Sequence, residues 1–228
     1  MIVFVVNRRR HRKRVAEFAV AFCIKANLIA AAGTNRVLCM DLHANQIQGF
    51  FDLPVDHLYA INVLCDYILS KKLKNMVVVS PDVGGLKMAR AYAKRLSAGL
   101  AIVDKRRASP EKTEVMHVLG NVRGKNAIMV DDIIATGGSM IEAAEVLKKK
   151  GVKSLYAAVS HGILSGPALE RIRNCAILKE VVITDSIPLK NPEKNPKVKV
   201  LSVAQLLAEA IGRIHNEESI SSLFEEPK

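Results

Sequence analysis

The sequence contains no tryptophan, and phenylalanine and tyrosine together make up only 4% of its 228 residues. Proteins that bind single-stranded nucleic acid stack the bases on aromatic side chains, so we expect no binding site of that kind. The four cysteines show no C-x-x-C spacing and lie within apolar stretches. They are typical of reduced, small hydrophobic residues in a cytosolic protein.

The chain also lacks a long, uninterrupted hydrophobic run. The segment 15–32 is apolar, but Glu17 and Lys25 interrupt it, and a membrane-spanning helix needs about 20 predominantly apolar residues. We expect no secretory signal, because the apolar run 1–6 is short and the basic residues follow it instead of preceding it. These observations predict a cytoplasmic protein with no membrane partner and no nucleic-acid partner.

Positive charge is abundant and unevenly distributed. The formal net charge is +12, and half of it comes from one cluster near the N-terminus, made of Arg8, Arg9, Arg10, Arg12, Lys13 and Arg14. Such a cluster could bind an anionic surface, but we interpret it as a solvated segment. The remaining positive charge suits a protein that binds phosphorylated substrates.

Short apolar runs and amphipathic stretches alternate from about residue 36 onward. This order predicts β-α-β units, a parallel sheet, and ligand binding at the C-terminal ends of the strands. The predicted strands are 37–40, 76–79, 100–103, 127–130, 154–159 and 181–183. The predicted helices are 85–96, 139–150 and most of 201–215, and a surface turn is predicted at 191–196.

One segment carries most of the chemical information. Two carboxylates, Asp131 and Asp132, directly follow the predicted strand 127–130. The loop that opens the next helix then reads Ala135-Thr136-Gly137-Gly138-Ser139. Backbone N–H groups of such a loop point at a phosphate, and the helix N-terminus adds about half a positive charge. The carboxylates repel phosphate but suit sugar hydroxyls or Mg²⁺, so the segment predicts a ribose-phosphate site.

Three further polar clusters follow predicted strands. Asp41 and His43 follow 37–40, where they could bind Mg²⁺ or could serve as a capping carboxylate and a hydrogen-bonded loop histidine. Asp82 lies in a Ser-Pro-Asp-Val-Gly-Gly segment that follows 76–79 and starts a helix. Lys105 and Arg107 follow 100–103. Alone they would be a solvated patch, but cations beside a phosphate site suit phosphoryl transfer.

These clusters together resemble the ribose-phosphate diphosphokinases, or phosphoribosyl-diphosphate (PRPP) synthetases. The segment 127–139 resembles the PRPP-binding motif of the type I phosphoribosyltransferase fold. The segment 41–51 is similar to the family's catalytic stretch, which has Asp-Leu-His-Ala followed by Gln-Ile-Gln-Gly-Phe-Phe. The segment 80–85 resembles the family's Ser-Pro-Asp-x-Gly-Gly loop, and 104–107 the start of its mobile catalytic loop. The resemblance covers roughly residues 27–228.

The resemblance implies an α/β, parallel-sheet, phosphoribosyltransferase-like fold of tandem halves. We expect a truncated first half with a divergent basic start at 1–59, and a complete phosphoribosyltransferase-like domain with the PRPP motif at 60–205. A C-terminal helix and tail at 206–228 would return to the first half. The implied reaction transfers diphosphate from ATP to ribose 5-phosphate and gives PRPP and AMP. The implied assembly is a homo-oligomer of dimers in a hexamer, or a hetero-oligomer with intact subunits.

The resemblance also implies a role for each candidate site residue. His43 and Asp82 would bind the Mg²⁺ cofactor, and Lys105 and Arg107 would be catalytic. The residues implied to bind ribose 5-phosphate are Asp131, Asp132, Ala135, Thr136, Gly137, Gly138 and Ser139.

Two features depart from the family pattern. The family has a longer N-terminal part that binds ATP, and it has aspartate at the position of Ala135. These departures leave two alternatives open. The chain would be a catalytically impaired homologue that binds and regulates intact synthetase subunits, or a phosphoribosyltransferase that consumes PRPP. The Asp-Leu-His-Ala block argues against the second alternative.

Overall fold

The computed structural model describes residues 15–106, 115–189 and 195–223, which form an α/β fold. Its α-helices are α1 Val15–Ala31, α2 Ile61–Ser70, α3 Leu86–Arg95, α4 Gly138–Lys149, α5 Ala168–Asn174 and α6 Ala204–His215. Its strands are β1 Val37–Met40, β2 Val55–Leu58, β3 Met76–Ser80, β4 Gly99–Arg106, β5 Val115–Leu119, β6 Asn126–Ile134, β7 Ser154–Gly162, β8 Leu178–Thr184 and β9 Val198–Leu201. Two 3-10 helices, Asn45–Phe50 and Ser221–Leu223, complete the described elements.

The strands form two sheets. Strands β1 and β2 form a parallel pair, and the other seven strands form one sheet in the order β5-β4-β3-β6-β7-β8-β9. Every neighbouring pair in the large sheet is parallel except β4 and β5, which are antiparallel. The predicted α/β class with a parallel sheet is therefore confirmed.

Helices cover both faces of the large sheet, which explains why residues 76–79 of β3 and 127–130 of β6 form unbroken apolar runs. Val77 and Val79 of β3 and Met129 of β6 belong to the core on the side of α4 and α5. Val78 and Ile128 point to the opposite side, where they share a second core with α2, α3 and α6. That second core also contains residues of β1, so the small sheet packs against the same side of the large sheet.

The predicted strands and helices are confirmed, but the predictions 100–103, 127–130, 154–159 and 181–183 are each at least three residues shorter than the observed strand. Strand β6 continues to Ile134, because Ile133 and Ile134 are buried and pair with β7. Strand β4 continues to Arg106, because the unpredicted strand β5 pairs with it in an antiparallel hairpin. The predicted turn at 191–196 lies mostly outside the described residues.

Helix α1 occupies most of the apolar segment 15–32. Within the described ranges, no helix combines the length and the hydrophobicity that crossing a membrane requires.

Candidate functional site

Four of the predicted site residues converge at the C-terminal ends of β1, β3 and β6. A cavity of about 540 Å³ opens there, and it is lined by four predicted site residues, His43, Asp82, Asp131 and Asp132. These side chains come from segments up to 89 residues apart in the chain. The cavity is also lined by three residues that the sequence did not single out, Tyr59, Lys87 and Tyr92.

The two aspartates of β6 differ in environment because side chains along a strand alternate between faces. Asp132 is only 6% exposed. Asp131 is half-buried, and one of its carboxylate oxygens accepts a hydrogen bond from the Asp132 N–H at 3.0 Å. We predicted that both residues follow the strand, but they lie within it. The strand therefore fixes the backbone of both carboxylates, as a loop would not.

His43, which follows β1, and Asp132 of β6 form one of the contacts between the two sheets at this site. His43 Nδ1 lies 2.6 Å from Asp132 Oδ2. An ionised carboxylate can only accept a hydrogen bond, which assigns a proton to Nδ1. In the neutral ring Nε2 is then the unprotonated nitrogen, whose lone pair can bind a metal. Metal-binding histidines are commonly oriented by a carboxylate in this way.

Asp82 lies at the start of α3, where it shapes the Ser-Pro-Asp-Val-Gly-Gly loop. Its Oδ1 accepts a hydrogen bond from the Gly85 N–H at 3.0 Å, and Ser80 Oγ donates to its carbonyl at 2.7 Å. A Cβ on Gly85 would lie 2.7 Å from Ser80 Oγ, so any other residue there would force Ser80 or the loop to shift. The loop holds an exposed carboxylate at the mouth of the cavity.

His43 and Asp82 suit a Mg²⁺ ion that is held jointly by the protein and a substrate, rather than one enclosed by protein ligands alone. The described residues contain no group of three or more histidine, cysteine, aspartate or glutamate side chains arranged to hold a metal. Mg²⁺ is usually held by one or two carboxylates together with water and substrate phosphates. The separated donors His43 and Asp82 therefore suit a metal that arrives with a phosphorylated substrate.

The loop 135–139 follows β6 and turns into α4, as the sequence predicts. Gly137 has a φ of 72°, a left-handed conformation that favours glycine. The Ala135 carbonyl accepts from the Ser165 N–H at 2.9 Å, and the Gly137 carbonyl from the Ile141 N–H at 3.0 Å. Amide groups at a helix N-terminus in such a loop form a phosphate site. The loop does not line the 540 Å³ cavity but continues the strand that carries Asp131 and Asp132.

Asp41 is buried at the edge of the cavity, where its carboxylate accepts two hydrogen bonds. Its Oδ2 accepts hydrogen bonds from the Ala60 N–H at 2.9 Å and from Ser160 Oγ at 2.6 Å. Burial raises the pKa of Asp41 above the ordinary value of an aspartate, although its hydrogen bonds act in the opposite direction. The hydrogen bond from Ala60, at the start of α2, agrees with the interpretation of Asp41 as a capping carboxylate, and its interpretation as a Mg²⁺ ligand stays a prediction.

Two buried histidines anchor the backbone on either side of Asp41. The Leu42 N–H donates to His57 Nε2 at 2.9 Å, and burial lowers the pKa of His57 from 6.5 to about 4. His161 Nε2 lies 3.1 Å from the Met40 carbonyl and 3.2 Å from the Asp41 carbonyl. The segment that presents His43 is thus held rigidly, and rigid support is what a precise site requires.

Of the two predicted catalytic cations, the structure describes only the backbone of Lys105. Lys105 belongs to β4, where its backbone pairs with Met116 of β5, so it lies in a hairpin arm and not in a loop. The prediction that a loop begins near residue 104 is wrong, because residues 104–106 pair with β5 as part of strand β4. Arg107 lies outside the described residues.

Comparisons with known proteins agree with this geometry. Residues 105–225 match the family described as the phosphoribosyl synthetase-associated domain. The chain is 49% identical over 217 residues to a ribose-phosphate pyrophosphokinase of Synechococcus elongatus, covering 95% of the chain and 66% of that protein. It is 51% identical over 216 residues to that of Helicobacter hepaticus, covering 95% of the chain and 69% of that protein.

A solved structure is similar as well. The phosphoribosylpyrophosphate synthetase of Mycobacterium smegmatis matches with a TM-score of 0.80 and 38% identity, covering 87% of the chain and 64% of that structure. The chain thus spans about two thirds of the length of these relatives. The 217 matched residues exceed the span 27–228, so the expectation that the similarity begins near residue 27 is wrong.

Proposed function

The chain belongs to the ribose-phosphate pyrophosphokinase (PRPP synthetase) family, and we propose on that basis that it acts on ribose 5-phosphate. The proposed reaction transfers the diphosphoryl group of ATP to the 1-hydroxyl of ribose 5-phosphate, which gives PRPP and AMP. We also propose the tandem organisation expected from the sequence, with 1–59 in a first half, 60–205 as the domain with the PRPP motif and 206–228 returning to the first half.

The ribose 5-phosphate would bind along the end of β6. The amides of residues 136–139 would hold the 5-phosphate, because a phosphate dianion is attracted to the N-terminus of α4. Asp131 and Asp132 would accept hydrogen bonds from the ribose hydroxyls. The half-buried Asp131 would remain accessible to the sugar, while Asp132 also holds His43.

Mg²⁺ would be held by His43 Nε2 and by Asp82, with water and phosphate oxygens as further ligands. The ion would supply charge neutralisation for the triphosphate. The carboxylate of Asp132 would keep the His43 ring in the tautomer that binds the metal. Lys105 and Arg107 would stabilise the negative charge that develops on the transferring phosphate oxygens.

The observation that carries the proposal is the 2.6 Å contact between His43 and Asp132. It joins the two motifs that the family resemblance identified separately, one beside the small sheet and one on β6. An isolated PRPP motif would need no histidine from another sheet. The contact therefore favours a synthetase over a phosphoribosyltransferase that merely consumes PRPP.

Calorimetry of ribose 5-phosphate binding in the presence of Mg²⁺ tests the proposal. The unaltered chain should bind, and Asp131→Asn should bind at least about tenfold more weakly, because a charge-assisted hydrogen bond is lost. Asp66→Asn is the matched control, since Asp66 is an exposed residue of α2 that pairs with Arg95. The absence of binding by the unaltered chain at millimolar ligand would contradict the proposal.

A second candidate function is regulation of intact synthetase subunits by a catalytically impaired homologue. Ala135 favours it, because the family pattern has a carboxylate at this position beside Asp131 and Asp132. AMP release should be measured for the chain alone and mixed with an intact relative. Little turnover alone, with an altered rate in the mixture, would support regulation, whereas turnover of about 1–100 s⁻¹ by the chain alone would support the enzyme.

The proposed assembly is oligomeric, either with copies of this chain as dimers in a hexamer or with intact subunits. The proposed location is the cytoplasm, which the four cysteines support, since all of them are unpaired and Cys39, Cys65 and Cys175 are buried.

A further inference from the structure

Arg171 lies directly behind the loop 135–139 and holds one of its carbonyl groups. The residue belongs to α5, which lies next to the loop: a Cβ on Gly137 would be in ordinary van der Waals contact with Ala168 Cα, at 3.8 Å. Arg171 Nη1 donates a hydrogen bond to the Thr136 carbonyl at 2.9 Å. The same nitrogen lies 3.4 Å from the position that a Cβ on Gly138 would take.

The carbonyl groups on either side of Thr136 are held by backbone groups and not by a side chain. Ala135 and Gly137 each offer their carbonyl to a backbone N–H, from Ser165 and Ile141. No substitution other than proline removes a backbone N–H, so those two contacts are independent of side-chain identity. The Thr136 carbonyl, in contrast, is held by a charged side chain that a mutation can remove.

A carbonyl that turned toward the bound phosphate would repel it, because both carry negative charge. The contact with Arg171 fixes the Thr136 carbonyl on the side of α5. The guanidinium also carries a permanent positive charge, and it lies beside the residues whose amides would face the phosphate. One side chain therefore combines two favourable effects, loop orientation and charge.

We propose that Arg171 is a positioning residue for the phosphate-binding loop, which it orients from outside through the Thr136 carbonyl. The inference rests on the proposed binding of ribose 5-phosphate to that loop. It assigns a contribution to ribose 5-phosphate affinity to a residue of α5, a helix that none of the recognised motifs includes.

The test compares Arg171→Met, Arg171→Lys and the matched control Arg173→Met by calorimetry with ribose 5-phosphate. Arg173 lies on the same helix two positions further and is also exposed. We expect about tenfold weaker binding for Arg171→Met, partial recovery for Arg171→Lys, and unchanged binding for Arg173→Met. Melting temperatures should stay close to that of the unaltered chain, which separates an effect on the loop from a general loss of structure.

The outcomes distinguish this inference from the function on which it rests. Binding by the unaltered chain with equal binding by Arg171→Met would overturn the role of Arg171 alone. No binding by the unaltered chain would overturn both. If Arg171→Met does not fold, the comparison of Arg171→Gln with Arg171→Lys replaces it. Weaker binding by Arg171→Gln than by Arg171→Lys would support the role. Binding by both variants with the affinity of the unaltered chain would overturn it.

Discussion

His57 makes the stability of this fold depend on pH in a way that a single substitution should remove. Its Nε2 accepts the Leu42 N–H at 2.9 Å, so the folded protein requires the neutral ring with an unprotonated Nε2. Burial lowers the pKa of His57 from 6.5 to about 4. A histidine with a lowered pKa stabilises the fold above pH 6.5, and this contribution is lost as the pH falls to about 4.

The magnitude follows from the size of that pKa difference. A pKa difference of one unit corresponds to about 1.4 kcal/mol, so the contribution of His57 to the free energy of unfolding is at most about 3 kcal/mol. Partial access of solvent to the ring on protonation reduces the expected effect to about 2 kcal/mol. The raised pKa of Asp41 has the opposite effect on the free energy of unfolding. A carboxyl group with a raised pKa stabilises the fold more at low pH than at high pH.

The comparison of the unaltered chain with His57→Gln isolates the histidine, since both chains contain Asp41. The glutamine carbonyl is a hydrogen-bond acceptor for the Leu42 N–H that does not titrate in this range. Urea denaturation at pH 7, 6, 5 and 4.5 measures the free energy of unfolding. The unaltered chain should lose about 2 kcal/mol more than His57→Gln between pH 7 and 4.5. Parallel losses in both chains would refute the reasoning.

Two further substitutions test the site and its support. Ala135→Asp should raise the affinity for ribose 5-phosphate when Mg²⁺ is present and lower it when Mg²⁺ is absent, because an added carboxylate attracts the metal and repels phosphate. Its free energy of unfolding should stay within about 0.5 kcal/mol of the unaltered chain, and a large change in melting temperature with unchanged affinity would show that position 135 is structural. Ser160→Ala should destabilise the fold by about 1–3 kcal/mol in urea denaturation, because the buried Asp41 carboxyl group loses a hydrogen bond. The exposed Ser97→Ala serves as its control, and equal stability of the two variants would argue against the importance of the Asp41 contact.

The sequence predicted those parts of the fold and site that depend on local patterns. Apolar runs identified the central strands, and the position of Asp131 and Asp132 after such a run placed them at the sheet edge. The pattern could not reveal β5, because its residues become a strand only by pairing with β4. The lengths of β4 and β6 depend on pairing partners in the same way.

Contacts between distant segments were beyond prediction from local patterns. Ser160 and His161 support the Asp41 segment from a position about 120 residues away. They lie at the end of a predicted strand and form no recognisable polar motif. The local pattern around Asp41 likewise does not show that its carboxylate accepts hydrogen bonds from Ala60 and Ser160. Arg171 belongs to no recognisable motif, because its contact with Thr136 depends on how α5 packs against the loop.

The most direct test of the central claim is a titration of the isotopically labelled chain with ribose 5-phosphate, followed by amide NMR spectra. We expect the amide signals of Gly137, Gly138 and Ser139 to shift with a common affinity, together with that of Asp132. The signals of β9, which lies at the far edge of the sheet, should remain unchanged. A saturable shift of other residues, with the amides of residues 137–139 unmoved, would contradict the account.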